Sequence, residues 1–95
     1  MNVHWTETAQ SHLQSIHDYI AKDSTRNAQR FVDRITRKSQ EIGTLPEAGS
    51  IVPEFGSPDV REVFEKSYRI VYRILKDRID VLAVIHGARK FPPHL

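Results

Sequence analysis

Four arginines and one histidine are the side chains of this sequence best suited to chemistry on a polyanion. They are Arg61, Arg69, Arg73, His86 and Arg89, and all of them fall between residues 60 and 89. Guanidinium groups bind phosphate or carboxylate oxygens through paired hydrogen bonds, and an imidazole kept neutral beside them can act as a general base. The histidine is equally compatible with a packed residue at a strand end.

The segment that carries these side chains is rich in β-branched and aromatic residues and predicts three strands. They span residues 60–65, 68–75 and 79–86, separated by turns short enough for hairpins. The sequence therefore predicts an antiparallel meander, in which alternation assigns each side chain to one of two faces.

One face of this meander is expected to meet the core, and the other to be mixed in character. We expect the core face to carry Val60, Phe64, Tyr68, Ile70, Tyr72, Ile74, Ile79, Val81, Ala83 and Ile85. The mixed face then carries Arg61, Val63, Arg69, Val71, Arg73, Leu82, Val84 and His86. Such a face is too apolar for water and too cationic for a core, so a partner chain or a polyanionic substrate should cover it. Cross-strand pairing of the arginines with Glu62, Glu65 or Asp80 explains some of them equally well.

The residues ahead of the meander predict what covers its core face. Val3 and Trp5 alternate as in a first strand, and apolar residues at helical spacing predict helices over 7–22 and 26–42. Residues 44–59 contain three prolines and two glycines and predict a long crossing loop. The expected fold is α+β with the order β-α-α-β-β-β, an antiparallel sheet with an N-terminal helical hairpin packed on one face.

Two further predictions concern the surface of the second helix and the number of domains. The basic residues of that helix are expected to form plain solvated surface; they are Arg26, Arg30, Arg34, Arg37 and Lys38. With 95 residues the chain has room for one domain, 1–95.

Composition excludes several classes of function. The chain has no cysteine, and His4, His12, His17 and His94 lack metal-ligand spacing, so no metal site is predicted. It has no phosphate-binding glycine loop and no other cofactor motif, so no cofactor is predicted. A net charge of +2 is too small to argue for nucleic acid by itself. The lack of a membrane-spanning apolar run and of a signal peptide predicts a cytoplasmic protein without a membrane partner.

Several stretches together resemble the RelE/ParE superfamily of bacterial toxins, and the similarity extends over nearly the whole chain. They are Arg61-Glu62, residues 68–72, residues 79–84 and residues 86–89, preceded by Trp5, residues 28–31, Leu45-Pro46 and Gly49. The resemblance implies the toxin of a type II toxin–antitoxin module, which inhibits growth unless a cognate antitoxin holds it in a hetero-oligomer. It further implies that promoter DNA is bound only through the antitoxin.

The resemblance also implies roles for the mixed face. A segment of the antitoxin is expected to lie on it, in contact with Arg61, Val63, Arg69, Val71, Arg73, Leu82 and Val84. RelE-like members cleave mRNA on the ribosome, and in such an enzyme Arg61, Arg69 and Arg89 would clamp the phosphate, with His86 as candidate base. ParE-like members instead inhibit DNA gyrase and are not nucleases.

Two departures favour the ParE-like assignment. Val63 stands where RelE-like members have a second lysine, and the tail after Arg89 lacks their C-terminal tyrosine. We therefore expect an inhibitor of DNA gyrase, with a ribosome-dependent mRNA endonuclease as the alternative. A third interpretation is an inactive homologue that acts only with its antitoxin at a promoter.

Overall fold

The computed structural model of the chain describes residues 1–87. In chain order the elements are β1 (Asn2–Trp5), α1 (Glu7–Ala21), α2 (Thr25–Thr44), a 3₁₀ turn (Pro46–Ala48), β2 (Ser50–Ile51), β3 (Val60–Glu65), β4 (Tyr68–Ile74) and β5 (Arg78–His86). The strands form one five-stranded sheet in the order β1-β5-β4-β3-β2. The α+β class and the helical hairpin are confirmed, and the short β2 is a further strand within the predicted loop.

The helical hairpin is positioned by hydroxyl caps at the starts of both helices. The Thr6 hydroxyl accepts a hydrogen bond from the Ala9 amide at 3.1 Å and donates one to the Val81 carbonyl of β5 at 2.9 Å. Ser24 caps α2 by accepting from the Asn27 amide. β1 pairs in parallel with β5, whereas the other neighbours in the sheet are antiparallel. Thr6 therefore fixes the start of α1 against β5.

The main core lies between the two helices and one face of the sheet. Its buried members are Ala9, Phe31, Ile35, Ile42, Ile70, Tyr72, Ile79, Val81 and Val84. Val3 and Trp5 of β1 pack against it from one edge, and Val63 of β3 from the other. No helix within residues 1–87 is both long and apolar enough to cross a membrane.

A second, smaller core covers the opposite face, where a partner was expected. Its buried members are Val52, Val60, Val71, Ala83 and Ile85, with Phe55 and Leu82 packed around them. The segment after β2 folds back across the sheet, and the Val52 amide donates to the Val60 carbonyl at 3.1 Å. The chain's own crossing loop thus covers much of the face that the sequence predicted to need an external cover.

A bulge in β5 changes the predicted alternation of that strand. Val71 pairs with Ala83 but Tyr72 pairs with Val81, so Leu82 is one residue extra. A bulge reverses the facing of every later residue in the strand. The prediction that Val84 and His86 share the arginine face was therefore wrong. Val84 lies in the main core, whereas Ala83 and Ile85 lie in the second core.

The alternation of β3 is also opposite to the prediction. Arg61 is paired with Tyr72 and Val63 with Ile70, so both point to the helix side, while Val60 is paired with Arg73 on the other face. The prediction assigned Val60 to the helix side because it is apolar. It is apolar because the crossing loop buries it, and both faces of this sheet have a core.

The crossing segment is fastened to the helix side of the sheet through its backbone carbonyls. The Tyr72 hydroxyl donates to the Pro46 carbonyl, and the ring is completely buried. The Arg61 guanidinium donates to the Glu47, Gly49 and Pro58 carbonyls at 3.0–3.1 Å. A Cβ atom at Gly49 would overlap the Tyr72 hydroxyl, so the chain passes this point only as glycine. We call these contacts the Tyr72–Arg61 latch.

Replacing Tyr72 by phenylalanine should destabilise the fold by about 1–2 kcal/mol, because the partly buried Pro46 carbonyl loses its donor. Chemical denaturation monitored by circular dichroism measures the change. Tyr19→Phe is the matched control, since that ring is 70% exposed and its replacement should leave the free energy of unfolding almost unchanged. Equal effects of the two variants would contradict the latch.

The contribution of Tyr72 should also depend on alkaline pH. Burial raises the pKa of the Tyr72 phenol above its ordinary value of 10.0, so folding favours the neutral form. Stability from this group is complete below pH 10.0 and falls as the pH rises through the higher folded pKa. The difference in unfolding free energy between wild type and Tyr72→Phe should therefore shrink above pH 10.0. A constant difference in denaturation from pH 8 to 11, roughly the range that brackets this titration, would refute the assignment.

Candidate functional site

Arg69 lies near the start of β4 on the face opposite the helices, and two carboxylates hold it there. Its side chain is only 9% exposed, and its Nε donates to Oε1 of Glu62 on β3. Its Nη2 lies 3.7 Å from Oε2 of Glu54 in the crossing loop. Arg69 therefore connects two strands to the loop that covers them, and it is not displayed to solvent as a free cation.

The remaining charge of this face lies toward the opposite end of β4. Arg73 is exposed and stands across from Asp80, and Asp80 accepts a hydrogen bond from the Arg78 Nε at 2.9 Å. His4 of β1 is the neighbour of Asp80 on its other side. The Asp80 carboxylate therefore lies between Arg73 of β4 and His4 of β1, and it also binds Arg78.

The other predicted site residues lie elsewhere. Arg61 and Val63 point to the helix side, and Arg61 is engaged in the Tyr72–Arg61 latch. Val84 is 1% exposed within the main core. His86 is exposed beside Tyr68 on the helix side, with ring centroids 5.5 Å apart. Arg89 lies outside the described residues.

The predicted face therefore splits into separate environments. Arg69, Val71, Arg73 and Leu82 share the face opposite the helices, as predicted. Val71 is completely buried beneath the crossing loop, and Leu82 is partly buried. Arg61, Arg69 and His86 are not brought together, because the first and third point to the opposite side of the sheet from the second.

Sequence reasoning missed a groove between α2 and β3. One part has a volume of about 390 Å³. It is lined by Lys38, Glu41, Ile42, Thr44, Leu45, Ala48 and Val63. A neighbouring part of about 200 Å³ is lined by Arg34, Arg37, Lys38, Glu41 and Glu65. The two parts share Lys38 and Glu41, so they form one continuous trough that we call the α2–β3 groove.

The two ends of the α2–β3 groove differ in chemistry. The end beside Ile42, Ala48 and Val63 is apolar, and Leu45 projects there with 65% of its surface exposed. The other end is cationic. Lys38 lies 3.5 Å from Glu41. The Arg34 Nε lies 4.0 Å from Glu65, and within residues 1–87 it is buried without a hydrogen-bond acceptor.

The sequence analysis considered three basic residues of this groove but did not assign them to a site. Arg34, Arg37 and Lys38 were assigned to plain solvated surface because they lie off the apolar stripe of α2. Their role at the groove depends on Val63 and Glu65 facing α2, which follows from the unexpected alternation of β3. Leu45, an apolar residue directly after the helix end, was the local signal that could have indicated it.

Within residues 1–87, no three histidine, aspartate or glutamate side chains are grouped so that they could hold a metal ion. The polar groups of the α2–β3 groove are Thr44, cationic side chains and the carboxylates beside them. Such a groove can hold an acidic or amphipathic chain, and its lining among the described residues offers no arrangement of nucleophile and base.

Comparison with known proteins gives matches that agree with this fold. Residues 3–91 match the family model for the ParE toxin of the type II toxin–antitoxin system parDE. A candidate toxin, Y4kP of Sinorhizobium fredii (strain NBRC 101917 / NGR234), is 33% identical over 96 residues, covering 95% of this chain and 92% of that protein. A solved structure of the chromosomal ParDE TA system from P. aeruginosa superposes with a TM-score of 0.75 at 22% identity. The superposition covers 90% of this chain and 95% of the P. aeruginosa chain.

Removing the Arg69 guanidinium should loosen the crossing loop. Arg69→Met leaves Glu62, whose side chain is 11% exposed, without its ionic partner, and we expect a loss of about 3 kcal/mol. Arg73→Met on the same strand is the control, since Arg73 is exposed and should cost less than about 0.5 kcal/mol. Denaturation and amide exchange at Val52 measure the two effects. Unchanged exchange at Val52 in Arg69→Met would contradict the role given to Arg69.

Proposed function

Since the chain belongs to the ParE toxin family of parDE type II toxin–antitoxin systems, we propose that it arrests growth by inhibiting DNA gyrase. The proposal is carried by the family match, which extends over residues 3–91 and leaves out only the extreme ends of the chain. Inhibition by binding needs an exposed surface and no catalytic group. The cytoplasm, where gyrase and DNA are found, is the proposed location.

The placement of the candidate catalytic residues supports a binding protein over a nuclease. A ribonuclease of the RelE kind needs cations that can reach the scissile phosphate and a base on the same side. Arg61 donates to three carbonyl groups and Arg69 is paired with two carboxylates. His86 faces the other side of the sheet from Arg69. The RelE-like alternative would require both arginines to leave their partners.

A cognate antitoxin is the proposed partner that holds the toxin inactive, and the pair forms a hetero-oligomer. The exposed apolar end of the α2–β3 groove supports this, because an apolar surface beside Leu45 is stabilised by a covering chain. Within this pair, the antitoxin alone is proposed to bind promoter DNA. The net charge of the toxin, +2, gives little basis for direct binding.

The purified chain should inhibit the supercoiling activity of gyrase at micromolar concentration, and an equimolar antitoxin should restore it. Expression without antitoxin should stop growth and induce the DNA-damage response before translation declines. If supercoiling is untouched and ribosome-bound mRNA is cleaved, the endonuclease alternative is correct. In that case Arg69→Ala combined with Arg89→Ala should abolish cleavage. A chain that is harmless without antitoxin would instead be an inactive homologue.

A further inference from the structure

We propose that the outward face of α2 binds the phosphate backbone of duplex DNA directly, through Arg26, Arg30 and Arg37. Contacts to phosphate carry no base-sequence information, so the choice of a promoter stays with the antitoxin. The inference goes beyond the proposed inhibition of gyrase, because the free chain should bind DNA with no enzyme present. On gyrase, the same face would hold the toxin against the DNA segment that the enzyme carries.

The charged residues of the chain are distributed unevenly, although the net charge is only +2. α2 has five cationic and two acidic residues, whereas residues 52–59 of the crossing loop have two acidic residues and no lysine or arginine. The helices and this part of the loop cover opposite faces of the sheet. Positive charge is therefore concentrated on α2, where it can attract a polyanion in spite of the small net charge.

Three arginines of α2 are exposed and have no carboxylate partner within residues 1–87. They are Arg26, Arg30 and Arg37. The two acidic residues of the same helix have other partners. Asp33 accepts a hydrogen bond from the Gln29 amide at 3.0 Å, and Glu41 lies 3.5 Å from Lys38. The three guanidinium groups are therefore available to bind phosphate oxygens.

These arginines also lie along one line of the helix. An α-helix advances about 1.5 Å and turns about 100° per residue, so the three side chains leave the axis within about 40° of one another. They span about 16 Å, the length of about five nucleotides of one strand at roughly 3.4 Å each. The row can therefore follow one strand of a duplex, and each planar guanidinium can bind two oxygens of a phosphate.

The outward face of α2 suits a polyanion better than it suits a protein. Within residues 1–87, no large apolar side chain of α2 is exposed. Protein interfaces depend on apolar or aromatic anchors, whereas binding to DNA phosphates is driven by counterion release and needs only cations. Phe31, the aromatic residue of α2, is buried, so this face offers no ring on which an unpaired base could stack. A duplex therefore fits better than a single strand.

The placement of these cations does not stabilise the helix that carries them. Arg26 lies in the first turn of α2, where the helix dipole favours anions, and that turn has no acidic residue. Arg26 and Arg30 are four residues apart, a spacing at which like charges repel. The last turn, where cations would be favourable, has none. A bound polyanion relieves this repulsion, whereas folding alone gives no reason for the arrangement.

The first test measures binding of the free chain to a fluorescent duplex of about 25 base pairs by anisotropy. Three phosphate contacts give a slope of about −2.7 for log K against log salt, so going from 50 to 200 mM salt should raise Kd about fortyfold. Combining Arg26→Gln, Arg30→Gln and Arg37→Gln should raise Kd about tenfold or more at low salt and bring the slope close to zero. The Tm of this variant should be unchanged or higher, because a repulsion is removed.

The matched control combines Lys66→Gln, Arg73→Gln and Lys76→Gln. It removes the same charge from exposed positions of the sheet and its turns, and Kd should change by less than about twofold. Equal weakening by the two triple variants, or a wild-type chain that binds no duplex at low salt, would overturn the proposal. Tighter binding of poly-glutamate than of the duplex would assign the face to an acidic protein segment and would overturn it as well.

A gyrase assay separates this inference from the proposed function. The α2 triple variant should need a higher concentration than wild type for half-inhibition of supercoiling, and the control variant should not. Equal inhibition by wild type and the α2 variant would contradict the contact with gyrase-held DNA. A wild-type chain that binds the duplex without inhibiting gyrase would refute the proposed function and support this inference. A chain that inhibits gyrase but binds no duplex would refute only the inference.

Discussion

The Tyr72–Arg61 latch is the constraint on which the rest of this structure depends. A buried tyrosine hydroxyl and one guanidinium satisfy four backbone carbonyls of the segment between the helices and β3. Two of these hydrogen bonds are partly buried, and pairing the carbonyls favours one path for the segment. Arg61 of β3 holds the 3₁₀ turn beside that strand, the chain then pairs briefly with β3 as β2, and the segment after β2 covers the far face of the sheet. The covered face is a consequence of these contacts.

This path also determines what the arginines do. Once the loop covers the face opposite the helices, Arg69 becomes an internal tie between Glu54 and Glu62, and Arg61 becomes a donor to carbonyls. Both contacts use the guanidinium as a multiple hydrogen-bond donor, a geometry that lysine cannot reproduce. Exposed positive charge is left on α2 instead, beside the groove. A cation that looks functional in a strand can thus be structural, while one that looks like solvated surface borders the site.

The sequence predicted the elements well and their faces poorly, for a physical reason. Helix limits follow from local signals such as the Thr6 and Ser24 caps, and the three main strands were assigned nearly to their observed limits. Facing was inferred from the rule that apolar residues point to a single core. This sheet has a core on each side, so the apolar character of Val60 led to the wrong face for the residues of β3. The bulge at Leu82 has no glycine or proline that would mark it in the sequence. The groove lies between elements distant in sequence, so no local pattern defines it.

An open strand edge is ordinarily a liability, because identical edges can pair and aggregate. Here the edge at Phe64 lies beside Arg34, Arg37 and Lys38. Two copies joined in antiparallel fashion through this edge would bring their cationic clusters close together, and like charges in a partly desolvated groove repel. The same cations therefore disfavour self-pairing through an edge that no strand within residues 1–87 covers at Phe64.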